Sequence, residues 1–167
     1  MEIRGSRILL TGASGGLGEA IAHDLADRGA HVVLTARSGE ILAELAKRTG
    51  GEVQVADLAD RDDLSRICGM LSEVDVLVCN AGIGGYGSVS GTRVDQIDHV
   101  LDVNLRAPMV LATEFANRCI ESSRPGQIVM IGSLSGVVTT PNSALYNGTK
   151  FGLRGLHARH PTGPRSV

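Results

Sequence analysis

Two side chains near the carboxyl end of this sequence, Tyr146 and Lys150, have the types and spacing for proton transfer. On a helix, residues four apart are neighbours on one face. A free phenol titrates near about pH 10, so a tyrosine that gives or takes a proton near neutrality needs a cation beside it to stabilise its phenolate. The ammonium of Lys150 can supply that charge. Such a pair serves an oxygen that gains or loses a proton, as a carbonyl does when its carbon accepts a hydride. Ser133 follows the apolar run Ile128-Val129-Met130-Ile131-Gly132. A hydroxyl at the carboxyl end of a strand can donate to a developing alkoxide. Blander readings stand beside these: an aromatic ring packed on a lysine stem at the surface, and a serine in a turn. The stretch Gly132-Ser133-Leu134-Ser135-Gly136 lacks the G-x-S-x-G register, which disfavours a serine hydrolase.

A second chemistry is written near the amino end. Four glycines, Gly12, Gly15, Gly16 and Gly18, fall within the segment Thr11-Gly12-Ala13-Ser14-Gly15-Gly16-Leu17-Gly18. This segment follows an apolar run and precedes a helical pattern. Small residues there let backbone approach a pyrophosphate, and the N–H groups and dipole of a helix start attract its charge. A tight strand-to-helix turn would also use glycine, but so dense a cluster at the first crossover favours cofactor binding. No Walker lysine follows, so a P-loop nucleotidase is disfavoured. The next strand ends in Thr35-Ala36-Arg37-Ser38, with no acid to meet a ribose 2′-hydroxyl and a guanidinium to meet a 2′-phosphate. This favours NADP over NAD, the alternative being a solvated Arg37 beside a Ser38 helix cap.

These groups need elements to hold them. Residues 8–11, 31–36, 52–56, 75–79 and 127–131 read as buried strands. Between them Leu17, Ile21 and Leu25, then Leu42, Leu45 and Ala46, then Leu64, Ile67 and Leu71 form helical stripes. Asp60 is positioned to cap the third helix. Residues 94–103 and 105–120 read as further helices, with Pro108 tolerable only in a first turn. Strand and helix alternate, which predicts an α/β protein: a three-layer, doubly wound parallel sheet with right-handed crossovers. A doubly wound sheet of two full halves has six strands, whereas five are read here, so the C-terminal strands are expected to be missing. One domain is expected over 1–157, ending in a helix over 151–157, followed by an irregular tail over 158–167.

Composition narrows the classes further. The 167 residues carry 16 basic and 18 acidic side chains, a formal charge of −2, with no run of like charge to meet nucleic acid or an anionic membrane. No apolar run approaches a membrane span or a signal core, so a cytoplasmic protein is expected. Cys68, Cys79 and Cys119 are read as reduced core residues, and His23, His31 and His99 lack ligand spacing, so no metal site is expected.

Taken in order, the motifs over residues 7 to about 157 resemble those of the short-chain dehydrogenase/reductase family. Thr11, Gly12, Gly16 and Gly18 match its Thr-Gly-x-x-x-Gly-x-Gly cofactor turn, which Ser14, Gly15 and Leu17 complete. Asp57-Leu58 fits its acidic residue near adenine, and Asn80-Ala81-Gly82 its Asn-Ala-Gly element beside the cofactor. The resemblance implies a Rossmann fold and a catalytic tetrad of Asn104, Ser133, Tyr146 and Lys150. It implies that Lys150 also holds the nicotinamide ribose, and that Asn104 holds a helix irregularity and a water; by residue type alone Asn104 reads as a cap where two helical segments meet. The implied activity is hydride transfer between NADP and an alcohol or carbonyl, with homo-oligomers common. The alternative from a different class is a catalytically impaired remnant that binds a dinucleotide or a partner without turnover, since the sixth strand, the substrate-covering segment and the seventh strand of the family are not matched.

Overall fold

The computed structural model describes residues 2–156. The expected tail over 158–167 and the last residue of the helix read over 151–157 lie outside them. Five strands, β1 (Arg7–Thr11), β2 (His31–Ala36), β3 (Glu52–Val55), β4 (Val76–Cys79) and β5 (Gln127–Met130), form one sheet in the order β3-β2-β1-β4-β5. All four pairings are parallel, and Leu9 stands opposite both Val33 and Leu77. The expected doubly wound α/β sheet is therefore present. The strands read at 52–56, 75–79 and 127–131 are each one residue shorter than expected.

Strands buried on both faces read as continuous aliphatic runs, and each face has its own core. On one side Leu9, Val33 and Leu77 pack with Leu64, Ile67 and Leu71, and with Leu111 and Phe115. These come from α3 (Arg61–Gly69), the single turn Leu71–Glu73 and α5 (Ala107–Glu121). On the other side Ile8, Leu10 and Leu34 pack with Ala22, Leu42 and Leu45 of α1 (Gly16–Asp27) and α2 (Gly39–Thr49). Asp60 does cap α3, accepting from the N–H groups of Asp62 and Asp63, each at 2.9 Å. Ser38 accepts from Ile41 N at the start of α2.

The two helices expected at 94–103 and 105–120 are one continuous rod. Helix α4 (Val94–Leu101) runs into α5 through one wide π turn, Asp102–Arg106. Pro108, expected to be tolerable only in a first turn, instead lies inside this rod as the second residue of α5, directly after the π turn, where the regular i to i−4 pattern that would need its N–H is already interrupted. The last helix, α6 (Ala144–Leu156), begins well before residue 151, so Tyr146 and Lys150 both lie on it. Among the described residues no helix is long and apolar enough to cross a membrane.

Candidate functional site

At the carboxyl ends of the strands, where the chain leaves β1 in one direction and β4 in the other, a cavity of about 520 Å³ opens. Open α/β sheets present ligand crevices at this switch point. Its floor is built by Thr11. The Oγ1 of Thr11 accepts from Asn80 N at 3.0 Å and Ala81 N at 3.1 Å, and donates to Val78 O at 3.3 Å. The Asn80 amide nitrogen donates back to Thr11 O and Gly12 O at 3.0 and 3.1 Å. These bonds lock the turn after β1 to the turn after β4.

The close approach explains two glycines and sets a third apart. Gly12 has φ +67°, and a Cβ there would lie 2.7 Å from Ala81 Cα, while a Cβ on Gly18 would overlap Gly12 O. A Cβ on Gly16 would meet nothing, although Gly16 lines the cavity. Helix α1 starts at Gly16, and its N-cap Gly15 offers no side-chain acceptor to the first turn. Uncapped N–H groups and the positive end of the helix dipole thus face open space that a side chain would fill. This fits an anionic diphosphate. Ser14 and Leu17 share the wall; Leu17, which belongs both to the helical stripe with Ile21 and Leu25 and to the cofactor turn, is 57% exposed.

Arg37 and Asp57-Leu58 line the far end of the cavity. Among the described residues no carboxylate pairs with Arg37. Asp57 is oriented by accepting from Ala59 N at 3.0 Å, and its own N–H is held by Asp63 Oδ2 at 2.8 Å.

Tyr146 and Lys150 line the near end with Asn80, Ala81 and Gly82. The Lys150 residue is 5% exposed, and its Nζ donates to Ile131 O at 3.1 Å. Burial pushes its ammonium below the ordinary lysine value. An ammonium has three donors, and only that one is satisfied among the described residues. The other two are available to groups in the cavity, and Nζ lies 5.7 Å from the Tyr146 ring centroid.

Asn104 does not line the cavity. It is 1% exposed and lies in the π turn. Its Oδ1 accepts from Ile83 N at 2.8 Å, and its Nδ2 donates to Ile83 O at 2.8 Å and to Thr149 Oγ1 at 3.3 Å. Thr149 Oγ1 in turn donates to Tyr146 O at 2.8 Å. The wide turn brings one amide into contact with the segment after β4 and with α6 at once. Ser133 also lies outside the cavity lining, next to Gly132, which is in it. Ser133 Oγ accepts from Ser135 N at 3.1 Å, capping the turn Leu134–Gly136. Its hydroxyl proton has no acceptor among the described residues. The turn reading and the donor reading of Ser133 are therefore compatible.

Several residues at the site carried no sequence signal. Ile83 lines the cavity and, with the buried Thr149 outside the lining, is a partner of Asn104, and Tyr86, also in the lining, stacks on Tyr146 with ring centroids 6.3 Å apart and planes at 20°. The one hint for Tyr86 was scarcity, since the chain has only two tyrosines and no tryptophan. Among the described residues no three His, Cys, Asp or Glu side chains converge as metal ligands. Cys79, at the end of β4, is buried, and its thiol is pushed up to about 12 by desolvation.

Comparisons with known proteins show the family and the fold. The sequence profile described as short chain dehydrogenase matches residues 6–160. The 3-oxoacyl-acyl-carrier-protein reductase of Rickettsia conorii is 35% identical over 158 residues, 93% of this chain and 65% of its own length. Among solved structures, a metagenomic short-chain oxidoreductase in complex with NADP superposes with a TM-score of 0.84 at 36% identity, covering 93% of this chain and 75% of its own. The bulky-bulky ketone specific alcohol dehydrogenase of Comamonas testosteroni gives 0.84 at 32% identity, covering 90% of this chain and 64% of its own. The chain thus spans about two-thirds of the length of several relatives it matches, 65% for the Rickettsia reductase.

Proposed function

The chain belongs to the short-chain dehydrogenase family, and from that premise we propose that it is an NADP(H)-dependent oxidoreductase moving a hydride between the nicotinamide and an alcohol or carbonyl carbon. The single observation that carries this reading is the common cavity of Tyr146, Lys150 and the uncapped start of α1. A bound nicotinamide dinucleotide supplies or accepts the hydride. In the reducing direction Tyr146 gives its phenolic proton to the substrate oxygen; in the oxidising direction it takes the proton of the alcohol. Lys150 holds positive charge beside the phenol, and its two unengaged donors suit the phenol oxygen and a ribose hydroxyl. Ser133, its lone pair engaged by Ser135 N–H, presents its own proton to the oxygen on which charge develops. Asn104 acts as a positioning residue, holding Ile83 and, through Thr149, the turn of α6 that bears Tyr146.

For the cofactor, Gly12, Ser14, Gly15, Gly16, Leu17 and Gly18 surround the diphosphate, Asp57 and Leu58 border the adenine, and Asn80, Ala81 and Gly82 lie beside the nicotinamide half. Arg37, with no carboxylate partner among the described residues, receives a 2′-phosphate, which favours NADP over NAD. A saturating ligand at a hundred times its Kd stabilises by about 2.7 kcal/mol, so NADPH should raise the melting temperature well above the shift given by NADH. Equal shifts would remove the Arg37 assignment. Tyr146→Phe should abolish turnover across a panel of alcohols and carbonyls while keeping NADPH affinity. Surviving activity would refute Tyr146 as the acid, and NADPH binding without any turnover in the unaltered chain would leave only the binding remnant.

A further inference from the structure

The reactive end of the cavity is bordered by the loop after β4 and the loop between β5 and α6, which lie in two stretches without charge. Residues 80–92 and residues 125–149 contain no Asp, Glu, Lys, Arg or His. The two basic side chains of α6 that reach these loops, Lys150 and Arg154, donate to Ile131 O and Gly136 O. Among the described residues these loops offer a carboxylate or phosphate on the substrate no counter-charge beyond the Lys150 ammonium beside the phenol.

The same loops carry large apolar side chains turned to solvent. Tyr86 and Leu134 are each 81% exposed, and Val137 and Val138 are exposed beside them in sequence. Tyr86 is held in place although nothing buries it. Gly85 runs so close to α6 that a Cβ would lie 3.1 Å from Leu145, and Gly87, at φ +146°, donates its N–H to Asn142 O at 2.8 Å and bridges to Ser143. Glycines thus pin the segment on both sides of the ring, over the start of the helix that bears Tyr146. A fixed, exposed aromatic ring contributes little to folding and is suited to meet a ligand.

We propose that Tyr86 contacts the substrate and sets its specificity, selecting an uncharged ketone or secondary alcohol that carries an aromatic or bulky apolar substituent. This rests on the hydride-transfer reading above and specifies its substrate class. The ring of Tyr86 forms an apolar wall continuous with the face of Tyr146. A carbonyl oxygen directed at the Tyr146 phenol leaves its flat substituent against Tyr86, in an offset aromatic contact. A small ionised oxo acid gains no such contact, and among the described residues the loops offer it no counter-charge.

The test compares dissociation constants for acetophenone, acetone and acetoacetate, measured by ligand-observed NMR with and without saturating NADP, for the unaltered chain, Tyr86→Phe and Tyr86→Ala. Acetophenone should bind more tightly than acetoacetate. Tyr86→Phe should match the unaltered chain, whereas Tyr86→Ala should weaken acetophenone by roughly threefold to tenfold, the range of an aromatic pair. Acetone binding, NADPH affinity and melting temperature should stay unchanged in both variants. The proposal is overturned if Tyr86→Ala leaves acetophenone unaffected or weakens acetone equally, if acetoacetate binds the more tightly, or if acetophenone does not bind. Failure of the hydride-transfer reading is a separate result: no NADPH binding, or turnover that survives Tyr146→Phe.

Discussion

Replacing Asn104 tests whether one amide holds the two halves of the site together. Asn104→Ala removes three hydrogen bonds, two to the backbone of Ile83 and one to Thr149 Oγ1. A net hydrogen bond contributes about 0.5–1.5 kcal/mol, and a buried group left unpaired loses about 1–3. Ile83 is half-buried, so water reaches part of what is exposed and the lower end applies. The sum is a loss of about 2–4 kcal/mol. At about 2–4 °C per kcal/mol for a chain of this size, thermal unfolding should shift down by roughly 5–15 °C. Exchange of the Ile83 amide hydrogen should accelerate more than that of core amides on β1. Asn104→Asp sharpens the argument, because the two side chains have the same shape. The ionised carboxylate still accepts from Ile83 N but sets its second oxygen against Ile83 O. Protonation restores a donor there, so the folded chain favours the protonated form and raises the carboxyl above its ordinary value. Stability gained from that proton is present at low pH and lost as pH rises through the raised value. Relative to the unaltered chain, Asn104→Asp should therefore recover as pH falls from the raised value toward the ordinary aspartate value of about 3.9. A fall of less than about 2 °C in Asn104→Ala, or an Asn104→Asp deficit that does not vary with pH, would refute the reasoning.

Two further predictions use the glycine turn and the buried ammonium. Gly16→Val should fold with a melting temperature within about 3 °C of the unaltered chain, since a Cβ at this position meets no protein atom, yet lose NADPH binding more than tenfold by filling the cradle; Gly12→Ala, strained at positive φ and pressed on Ala81, should instead lose about 2 kcal/mol or more of stability in urea unfolding. Lys150→Met should be as stable as the unaltered chain, or more so, near neutral pH, because it removes a charge that burial disfavours. Between the depressed lysine value and the ordinary 10.5 the unfolded chain binds more protons, so the stability of the unaltered chain should rise with pH over that window and the variant should lack that slope. Urea titrations at several pH values check both statements, and a parallel pH dependence in the two chains would show that Lys150 carries no burial penalty.

Much of this molecule was legible in one dimension because its signals are local. Aliphatic runs broken by glycine turns gave β1 to β5 to within a residue at each end, the Asp60 cap follows from its place before Arg61–Gly69, and the separation of Tyr146 and Lys150 is a property of any helix. The glycine cluster announced a close approach but not what is approached. That Gly12 presses on Ala81 while Gly16 faces open space depends on β1 and β4 being sheet neighbours, although about 65 residues separate them in sequence. The π turn is another such case. The family resemblance implied an irregularity at Asn104, but nothing in Asp102–Arg106 itself favours it by residue type, and it is held by an amide that reaches Ile83 and Thr149, each from a different crossover. Tyr86 and Lys150 make the same point from opposite directions. Composition places an aromatic ring inside and an ammonium outside, yet the ring is the exposed group and the ammonium the buried one. Sequence periodicity records which residues share a face of one element. Which faces meet, and what they leave uncovered, is settled only when the crossovers close on the sheet and each polar group must find a partner there or face the cavity.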